Sequence, residues 1–199
     1  MTAALAGFAL GLSLIIAIGA QNAFVLRHGI RGTHVFAICL TCAASDAVLI
    51  AIGVGGFGKL IETLPWLDLA MRLLGSAFLI WYGLKHLRSA WQGGHHLDPS
   101  GNGDKSLKSA LLTCLALTWL NPHVYVDTVG LIGSVSTHYE GQAMQFALGA
   151  ITASFVFFFA LGYGAGLLRP WFARPRSWQI LDGLIALTMF AIAAKLLIE

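Results

Sequence analysis

Six apolar segments, each long enough to cross a bilayer, cover nearly the whole of this chain. A transmembrane helix needs about 20 mostly apolar residues, and 57% of the sequence is hydrophobic whereas only 11% is charged. The segments extend over residues 3–26, 35–57, 67–91, 107–134, 143–168 and 179–198. We therefore predict an all-α, polytopic membrane protein with six transmembrane helices. Because this leaves no room for a soluble catalytic domain, we also predict that the chain is not an enzyme.

The basic residues predict how these helices are oriented. Nine of the 12 Lys and Arg residues flank the first, third and fifth connections, which six spans would place on one side of the membrane. They are Arg27, Arg31, Lys85, Arg88, Lys105, Lys108, Arg169, Arg174 and Arg176. Since Lys and Arg accumulate in cytoplasmic loops, we predict that these connections are cytoplasmic and that both termini are periplasmic. The basic clusters need no nucleic-acid partner, and anionic membrane lipids are their natural partner.

A polar loop at residues 92–106 divides the chain into two halves of three spans each. The loop reads QGGHHLDPSGNGDKS, which is rich in Gly, Pro, Asp and Asn and has no periodic apolar pattern. Three spans per half would insert equivalent helices in opposite orientations, which is the inverted-repeat design of many secondary transporters. We predict a first three-helix repeat at 1–91, a cytoplasmic loop at 92–106 and a second three-helix repeat at 107–199.

Polar residues interrupt the first and fourth apolar segments, which are equivalent helices of the two halves. Asn22 lies within IGAQNAFVL, and Asn121 precedes Pro122 in LTWLNPHVY. Pro122 has no N–H and its ring collides with the preceding turn, so we predict that helices 1 and 4 are broken. Freed backbone groups and half-helix N-termini suit a polar solute that carries a carboxylate. The candidate substrate-binding residues here are Gln21, Asn22, Asn121 and Pro122. Alternatively, Pro122 makes a packing kink and the amides only join helices.

Two carboxylates lie inside predicted spans. Asp46 sits at the midpoint of the otherwise uncharged run 35–57, and Asp127 lies in the fourth span. A charge at the centre of a membrane helix costs about 3 kcal/mol on insertion scales, so it normally faces a polar pathway. Both aspartates are predicted to bind the cationic end of a substrate, although Asp127 could equally be a helix-cap or interfacial residue. Because burial favours the neutral form of a carboxyl group, Asp46 is also predicted to exchange a proton for the cation.

Cysteine and histidine patterns supply weaker candidates. Cys39 and Cys42 form a C-x-x-C inside a predicted span, where two small side chains at a packing face are the simpler interpretation. A membrane thiol-disulfide relay that uses this pair stays open as an alternative. His95 and His96 in the polar loop are the only features that suggest a metal exporter, and we predict neither a metal site nor a cofactor. The sequence contains no phosphate-binding P-loop motif, which argues against an ATP-driven pump.

Glycines at G-x-x-x-G spacing occur in two of the segments. One pair is Gly7 and Gly11, and the other is Gly162 and Gly166. This spacing lets helix backbones approach closely. It allows a homo-oligomer through glycine-rich helix faces, but it does not say whether the partner helix belongs to the same chain.

Four blocks of this sequence resemble the lysine exporter (LysE) family, most closely its lysine- and arginine-exporting branch. The blocks are GAQNAFVLRHG at 19–29, CAASD at 42–46, GSAFLIWYG at 75–83 and LTWLNPHVYVDTVGLIGS at 117–134. The likeness covers nearly the entire chain and is most distinctive in the fourth block. It implies export of basic amino acids across the bacterial inner membrane, driven by ion gradients. The residues to which it points are Gln21, Asn22, Asp46, Asn121, Pro122 and Asp127. Related exporters carry neutral amino acids or metal ions, so these cargoes remain alternatives.

Overall fold

The computed structural model describes residues 2–16, 19–57, 65–92 and 106–198. Within these residues all regular secondary structure is helical, which confirms the all-α prediction. The helices of the first half are α1 (Ala3–Ile15), α2 (Ala20–Arg31), α3 (Val35–Ile52) and α4 (Pro65–Gln92). Those of the second half are α5 (Leu107–Trp119), α6 (residues 122–136), α7 (Ala143–Gly164) and α8 (Pro175–Ile198). Most of the predicted loop at 92–106 lies outside the described residues.

Helix α6 and the end of α3 depart from regular α-helical geometry. In α6, the α-helical turns Pro122–Val124 and Gly133–Ser136 enclose a π-helical stretch, Tyr125–Ile132. The segment Gly53–Phe57 follows α3 and is kinked at Gly56, whose φ of 87° is left-handed. These two segments pack against each other, and a Cβ on Gly53 would lie only 2.7 Å from the Thr128 carbonyl oxygen. A glycine is therefore needed where these backbones meet.

The helices differ in how well they fit a bilayer. By length and composition, three helical segments are able to cross a membrane, at Val35–Gly56, Ala143–Leu168 and Arg176–Ile198. A fourth results if the bent pair α1 and α2 is counted as one span. The other two predicted spans also form helices, but α4 carries several charges and α5 is a shorter apolar helix. The structure thus supports three or four of the six predicted spans.

Helix α7 is the centre of the packing. It contacts α1 and α3 extensively and also α2, whereas α4 and α8 make their most extensive contact with each other. A larger hydrophobic cluster contains residues of α2, α3, α4, α5, α7 and α8. A smaller one lies at the opposite end, where Ala3 and Ile50 meet Phe146. These two clusters hold the helices together mainly by apolar contacts.

The G-x-x-x-G face of α1 is used within the chain. A Cβ on Gly11 would lie 3.1 Å from the Cα atom of Ala150 in α7, and Gly7 contacts the backbone of Phe146. From the other side, Gly149 of α7 fits against the backbone of Ala4. The α1 glycines therefore allow close packing of α1 on α7, and this face is not free for a second copy of the chain.

Candidate functional site

The first helix break is held by a side-chain amide. Helix α1 ends at Ile15 and α2 begins at Ala20, and the two helix axes meet at 84°. The Asn22 Nδ2 atom donates a hydrogen bond of 2.7 Å to the Ile15 carbonyl oxygen, which has lost its helical partner. Gly19 precedes α2 in an extended conformation (φ −118°, ψ 172°). The amide thus satisfies the end of α1 at the break that the sequence predicts.

At the second break a side-chain amide again bonds a free backbone group, but in a different geometry. Helix α5 ends at Trp119, and Pro122 is the first residue of α6. The Asn121 side-chain oxygen accepts a hydrogen bond from the His123 amide at 3.2 Å, so Asn121 is the N-cap of α6. The Tyr125 hydroxyl donates to the Trp119 carbonyl oxygen at 3.0 Å. Pro122 therefore ends the helix, as its missing N–H predicts.

The two asparagines are not equivalent in position. Asn121 is the N-cap of its half-helix, whereas Asn22 lies three residues after the corresponding N-cap, Gly19. The sequence paired Asn22 with Asn121 because each interrupts an apolar run. In the structure, the Asn22 amide donates to a carbonyl oxygen at the end of the preceding helix, whereas the Asn121 amide accepts from an N–H group at the start of the following helix.

Asp46 is buried where three helices meet. It lies on α3 with a relative exposure of 4%, and its Oδ2 atom accepts a hydrogen bond of 2.7 Å from the hydroxyl of Ser154 on α7. The neighbouring Ser45 accepts a hydrogen bond of 3.2 Å from the indole N–H of Trp119, at the end of α5. Within the described part of the chain, no cationic side chain pairs with Asp46. A neutral hydroxyl is thus the partner of this carboxyl group.

Gln21 lies close to the same region. Its side chain is adjacent to Cys42, which is one helical turn before Asp46 on the same face of α3. The Gln21 Nε2 atom is buried, and the neighbouring Cys42 thiol is only a weak acceptor for it. Gln21 of α2 and Asp46 of α3 are thus both neighbours of Cys42.

Asp127 occupies a different environment. It is half-buried in the π-helical stretch of α6, and its charged neighbours are His123 and Lys195. The two predicted cation-binding carboxylates thus have different neighbours among the described residues.

A cluster of buried charged side chains joins α2, α4 and α8. Arg27 of α2 forms an ion pair with Asp182 of α8, and the Nδ1 atom of His86 on α4 lies 2.9 Å from Asp182 Oδ1 and 3.0 Å from Arg27 Nη1. Ser89 donates a hydrogen bond of 2.6 Å to the other carboxylate oxygen. Asp182 has a relative exposure of 1%, so both of its oxygens are satisfied inside the protein. We call Arg27, His86, Ser89 and Asp182 together the charge cluster.

The sequence contained a signal for this cluster. Asp182 lies inside the predicted span 179–198, where an acidic residue is as unexpected as Asp46 is in its own span. Arg27 was counted as a flanking residue of the first connection, but the structure buries it. Trp178, one position before that predicted span, is 2% exposed and lies beneath the guanidinium groups of Arg27 and Arg31.

Comparison with known proteins decides the family. A family model described as LysE type translocator matches residues 12–199. The chain belongs to the LysE family. A Mycobacterium tuberculosis protein named "Putative amino-acid transporter" is 46% identical over 187 residues, 94% of this chain and 92% of that protein. The arginine exporter protein ArgO of Salmonella enteritidis is 40% identical over 191 residues, 96% of this chain and 90% of that protein. No solved structure matches the chain.

Membership of the LysE family confirms the predicted resemblance and identifies the chain as a multi-pass membrane transporter rather than an enzyme. The thiol-disulfide relay is therefore excluded as its activity. The described cysteines agree with a packing role, since Cys39 donates to the Phe158 carbonyl oxygen at 3.1 Å. The Cys42 and Cys114 sulfur atoms lie 3.2 Å apart, well beyond the roughly 2.05 Å of a disulfide.

Removing every thiol from this LysE-family protein is expected to leave transport largely intact. A variant with Cys39, Cys42 and Cys114 all replaced by Ala loses only weak thiol contacts at small-residue packing positions. We expect its transport rate per molecule to stay within about twofold of the parent chain, measured with a radiolabelled cargo in vesicles and normalised to protein abundance. Complete loss of transport with normal abundance would show that the thiols take part in the transport cycle.

A metal cargo finds little support in the described residues. Among them, no group of three or more His, Cys, Asp or Glu side chains could hold a metal ion. His95 and His96, the candidates for such a site, lie outside the described residues. A transport measurement with metal ions is therefore needed to test the metal-exporter alternative.

Proposed function

We propose that this LysE-family protein exports basic L-amino acids, arginine and/or lysine, across the bacterial inner membrane. The observation that carries the proposal is the state of Asp46, a buried carboxyl group whose partner is the neutral Ser154. A buried carboxylate needs a cationic partner to offset its desolvation. The buried carboxylate of Asp182 already has such partners within the protein, Arg27 and His86. Asp46 is thus the buried carboxylate suited to a cation supplied by the cargo.

The other end of a basic amino acid is a carboxylate, and the broken helices suit it. Half-helix N-termini present unpaired N–H groups and a positive dipole end. Helix α2 begins at Ala20, next to Gln21 and Asn22, and supplies such an N-terminus. The first amides of α6 already bond to Asn121, so we propose that the positive dipole end at Asn121 and Pro122 contributes there. The buried Gln21 Nε2 atom gains an acceptor if the cargo carboxylate binds there. Asp127 is proposed as a second carboxylate for the cargo cation on its path past α6.

Relatives with assigned names support a basic cargo. Proteins named as arginine exporters share about two-fifths of their residues with this chain over nearly its full length, at 38–40% identity. The α-ammonium group of a neutral amino acid is also a cation, so the relatives named as arginine exporters, rather than Asp46 alone, favour a basic cargo over a neutral one. An exporter of divalent metal ions would need more oxygen, nitrogen or sulfur ligands than Asp46 and Ser154 provide.

We further propose that transport is a proton antiport through Asp46. Burial favours the protonated form of a carboxyl group, whereas a bound cation favours the ionised form. Binding of the cargo cation therefore releases a proton from Asp46, and release of the cargo allows it to bind one again. The proton gradient would then drive export.

The proposed topology has six spans, with the polar loop 92–106 between two inverted repeats at 1–91 and 107–199. Its support is that helix contacts match when the halves are exchanged: α1 packs on α7 as α5 packs on α3, and α2 contacts α8 as α6 contacts α4. Residues next to the first, third and fifth connections meet in the charge cluster, consistent with one shared side. We propose that this side is cytoplasmic and that the termini are periplasmic.

Counterflow in proteoliposomes tests the proposed cargo. Vesicles loaded with unlabelled arginine, lysine, ornithine or leucine are given trace radiolabelled arginine, with and without a pH gradient. We expect the three basic amino acids to drive uptake at least about tenfold faster than leucine, as expected when one buried charge pair decides specificity. Equal exchange with leucine, or no exchange with any basic amino acid, would contradict the proposal.

A further inference from the structure

The charge cluster joins helix α2 to the α4 and α8 pair, next to the larger hydrophobic cluster that all three helices share. Helices α4 and α8 make their most extensive contact with each other. Helix α2 makes its own most extensive contact with α7, where Gly29 fits against the backbone of Gly162. The Nε atom of Arg169 also donates a hydrogen bond of 3.1 Å to the carbonyl oxygen of Ile30 in α2. The ion pair between Arg27 and Asp182 therefore ties the bundle around α7 to the α4 and α8 pair.

A buried ion pair at this position is compatible with a contact that opens and closes. Apolar side chains would hold two membrane helices together at least as well as a buried ion pair, because desolvation offsets much of the attraction between the charges. If the helices separate and water enters, Arg27 and Asp182 recover their hydration, so the ion pair itself adds little to the cost of opening. If they close, Ser89 and His86 again satisfy the Asp182 carboxylate. At this position a charge cluster therefore resists separation of the helices less than an apolar contact would.

The cluster also lies at one end of the helices that contain it. Arg27 is four residues before the end of α2, His86 and Ser89 are in the last two turns of α4, and Asp182 is near the start of α8. These ends adjoin the connections that we propose to be cytoplasmic. Alternating access in secondary transporters commonly moves one helix bundle against another around a fixed site.

We propose that Arg27, His86 and Asp182 form a latch that closes the cytoplasmic end of the transport path. The latch rests on the proposed function for its orientation, and it opens when the α4 and α8 pair moves away from α2. In the structure described here the latch is closed. The cytoplasmic amino acid reaches Asp46 only after Arg27 and Asp182 separate.

Cysteine labelling tests the latch without any cargo. Ala23 is almost buried, at 9% exposure, and lies one turn before Arg27 on the same face of α2. The reporter is Ala23→Cys in the variant whose three native cysteines are Ala. Inside-out and right-side-out vesicles are treated with a membrane-impermeant maleimide, which measures access from the cytoplasmic and periplasmic sides separately.

We expect Asp182→Asn to speed labelling from the cytoplasmic side by about tenfold, and Ser89→Ala, which removes one hydrogen bond, to speed it by about fivefold. Periplasmic labelling is expected to stay slow, which separates an opened latch from general unfolding. Glu140→Gln is the control, because this exposed carboxylate lies between α6 and α7, outside the charge cluster. If Asp182→Asn does not fold, Ser89→Ala still tests the latch, since it leaves the ion pair in place.

Unchanged labelling in both variants overturns the latch, and so does faster labelling from both sides or from the periplasmic side alone. The counterflow measurement is independent of this result. Cytoplasmic labelling that rises in a protein without arginine exchange would retain the latch and reject the cargo. Arginine exchange with unchanged labelling would retain the cargo and reject the latch.

Discussion

Asp46→Asn is expected to reduce arginine counterflow by about 10- to 100-fold while the protein stays folded. The substitution keeps the size of the side chain and leaves an oxygen that can accept the hydrogen bond from Ser154. It removes the negative charge that we propose to bind the cargo cation. A hydrogen bond to a charged group contributes about 1.5–3 kcal/mol, which corresponds to that range of rates. The measurement is initial counterflow at low arginine concentration, normalised to the amount of reconstituted protein.

Two further variants serve as comparisons for Asp46→Asn. Ser154→Ala removes a neutral hydroxyl donor and should reduce counterflow by only about fivefold, the value of one ordinary hydrogen bond. Glu140→Gln removes an exposed carboxylate and should have no effect. Near-normal counterflow in Asp46→Asn would show that another group binds the cation.

The same Asp46 variant also tests proton coupling. If Asp46 carries the proton, the residual transport of Asp46→Asn should no longer respond to an imposed pH gradient, because the amide cannot exchange a proton in this range. Transport that still follows the gradient would assign coupling to a different group. The parent protein in the same vesicles provides the comparison.

Gly149→Val is expected to prevent α1 from packing on α7. A Cβ atom on Gly149 would lie 2.8 Å from the Ala4 carbonyl carbon and 2.9 Å from the Phe8 amide nitrogen. Both are backbone atoms, so no side chain can move aside to accommodate the new group. Overpacking of this kind costs about 1–3 kcal/mol or more, and we expect the unfolding temperature in detergent to fall by about 5–10 °C. Thermal unfolding followed by size-exclusion chromatography measures the change.

Gly164→Val is the matched control in the same helix. A Cβ there would meet no described atom within 4 Å, so the larger side chain has room. We expect its unfolding temperature to stay within about 2 °C of the parent protein. An equal loss of stability in both variants would mean that helix propensity, rather than the α1 contact, decides the result.

The local features of this fold could be predicted because short-range chemistry causes them. Pro122 lacks the N–H that a continuous helix needs, so the break between α5 and α6 follows from the sequence. Asp46 was also evident, since a single acidic residue in a long apolar run requires a polar environment. Asn121 became an N-cap for the same local reason, because its side chain reaches the amide two residues ahead.

The contacts between distant segments could not be predicted in this way. Arg27 and Asp182 are 155 positions apart, and nothing in either neighbourhood specifies the other. Cys42 was considered as half of a C-x-x-C with Cys39, yet the structure places its sulfur next to Cys114 of α5. On a helix, positions three apart share a face without needing to contact each other, so the spacing alone was uninformative.

The sequence by itself determined that the chain is helical, lies in a membrane, contains a proline-broken helix and buries a carboxyl group at Asp46. Each of these follows from the cost of exposing polar groups to hydrocarbon or from the geometry of a single residue. The tertiary structure decided which charges are satisfied. Asp182 is neutralised by Arg27 and His86 because packing brings α2, α4 and α8 together at one end. Asp46 meets only a hydroxyl group among the described residues, because α7 presents Ser154 to it.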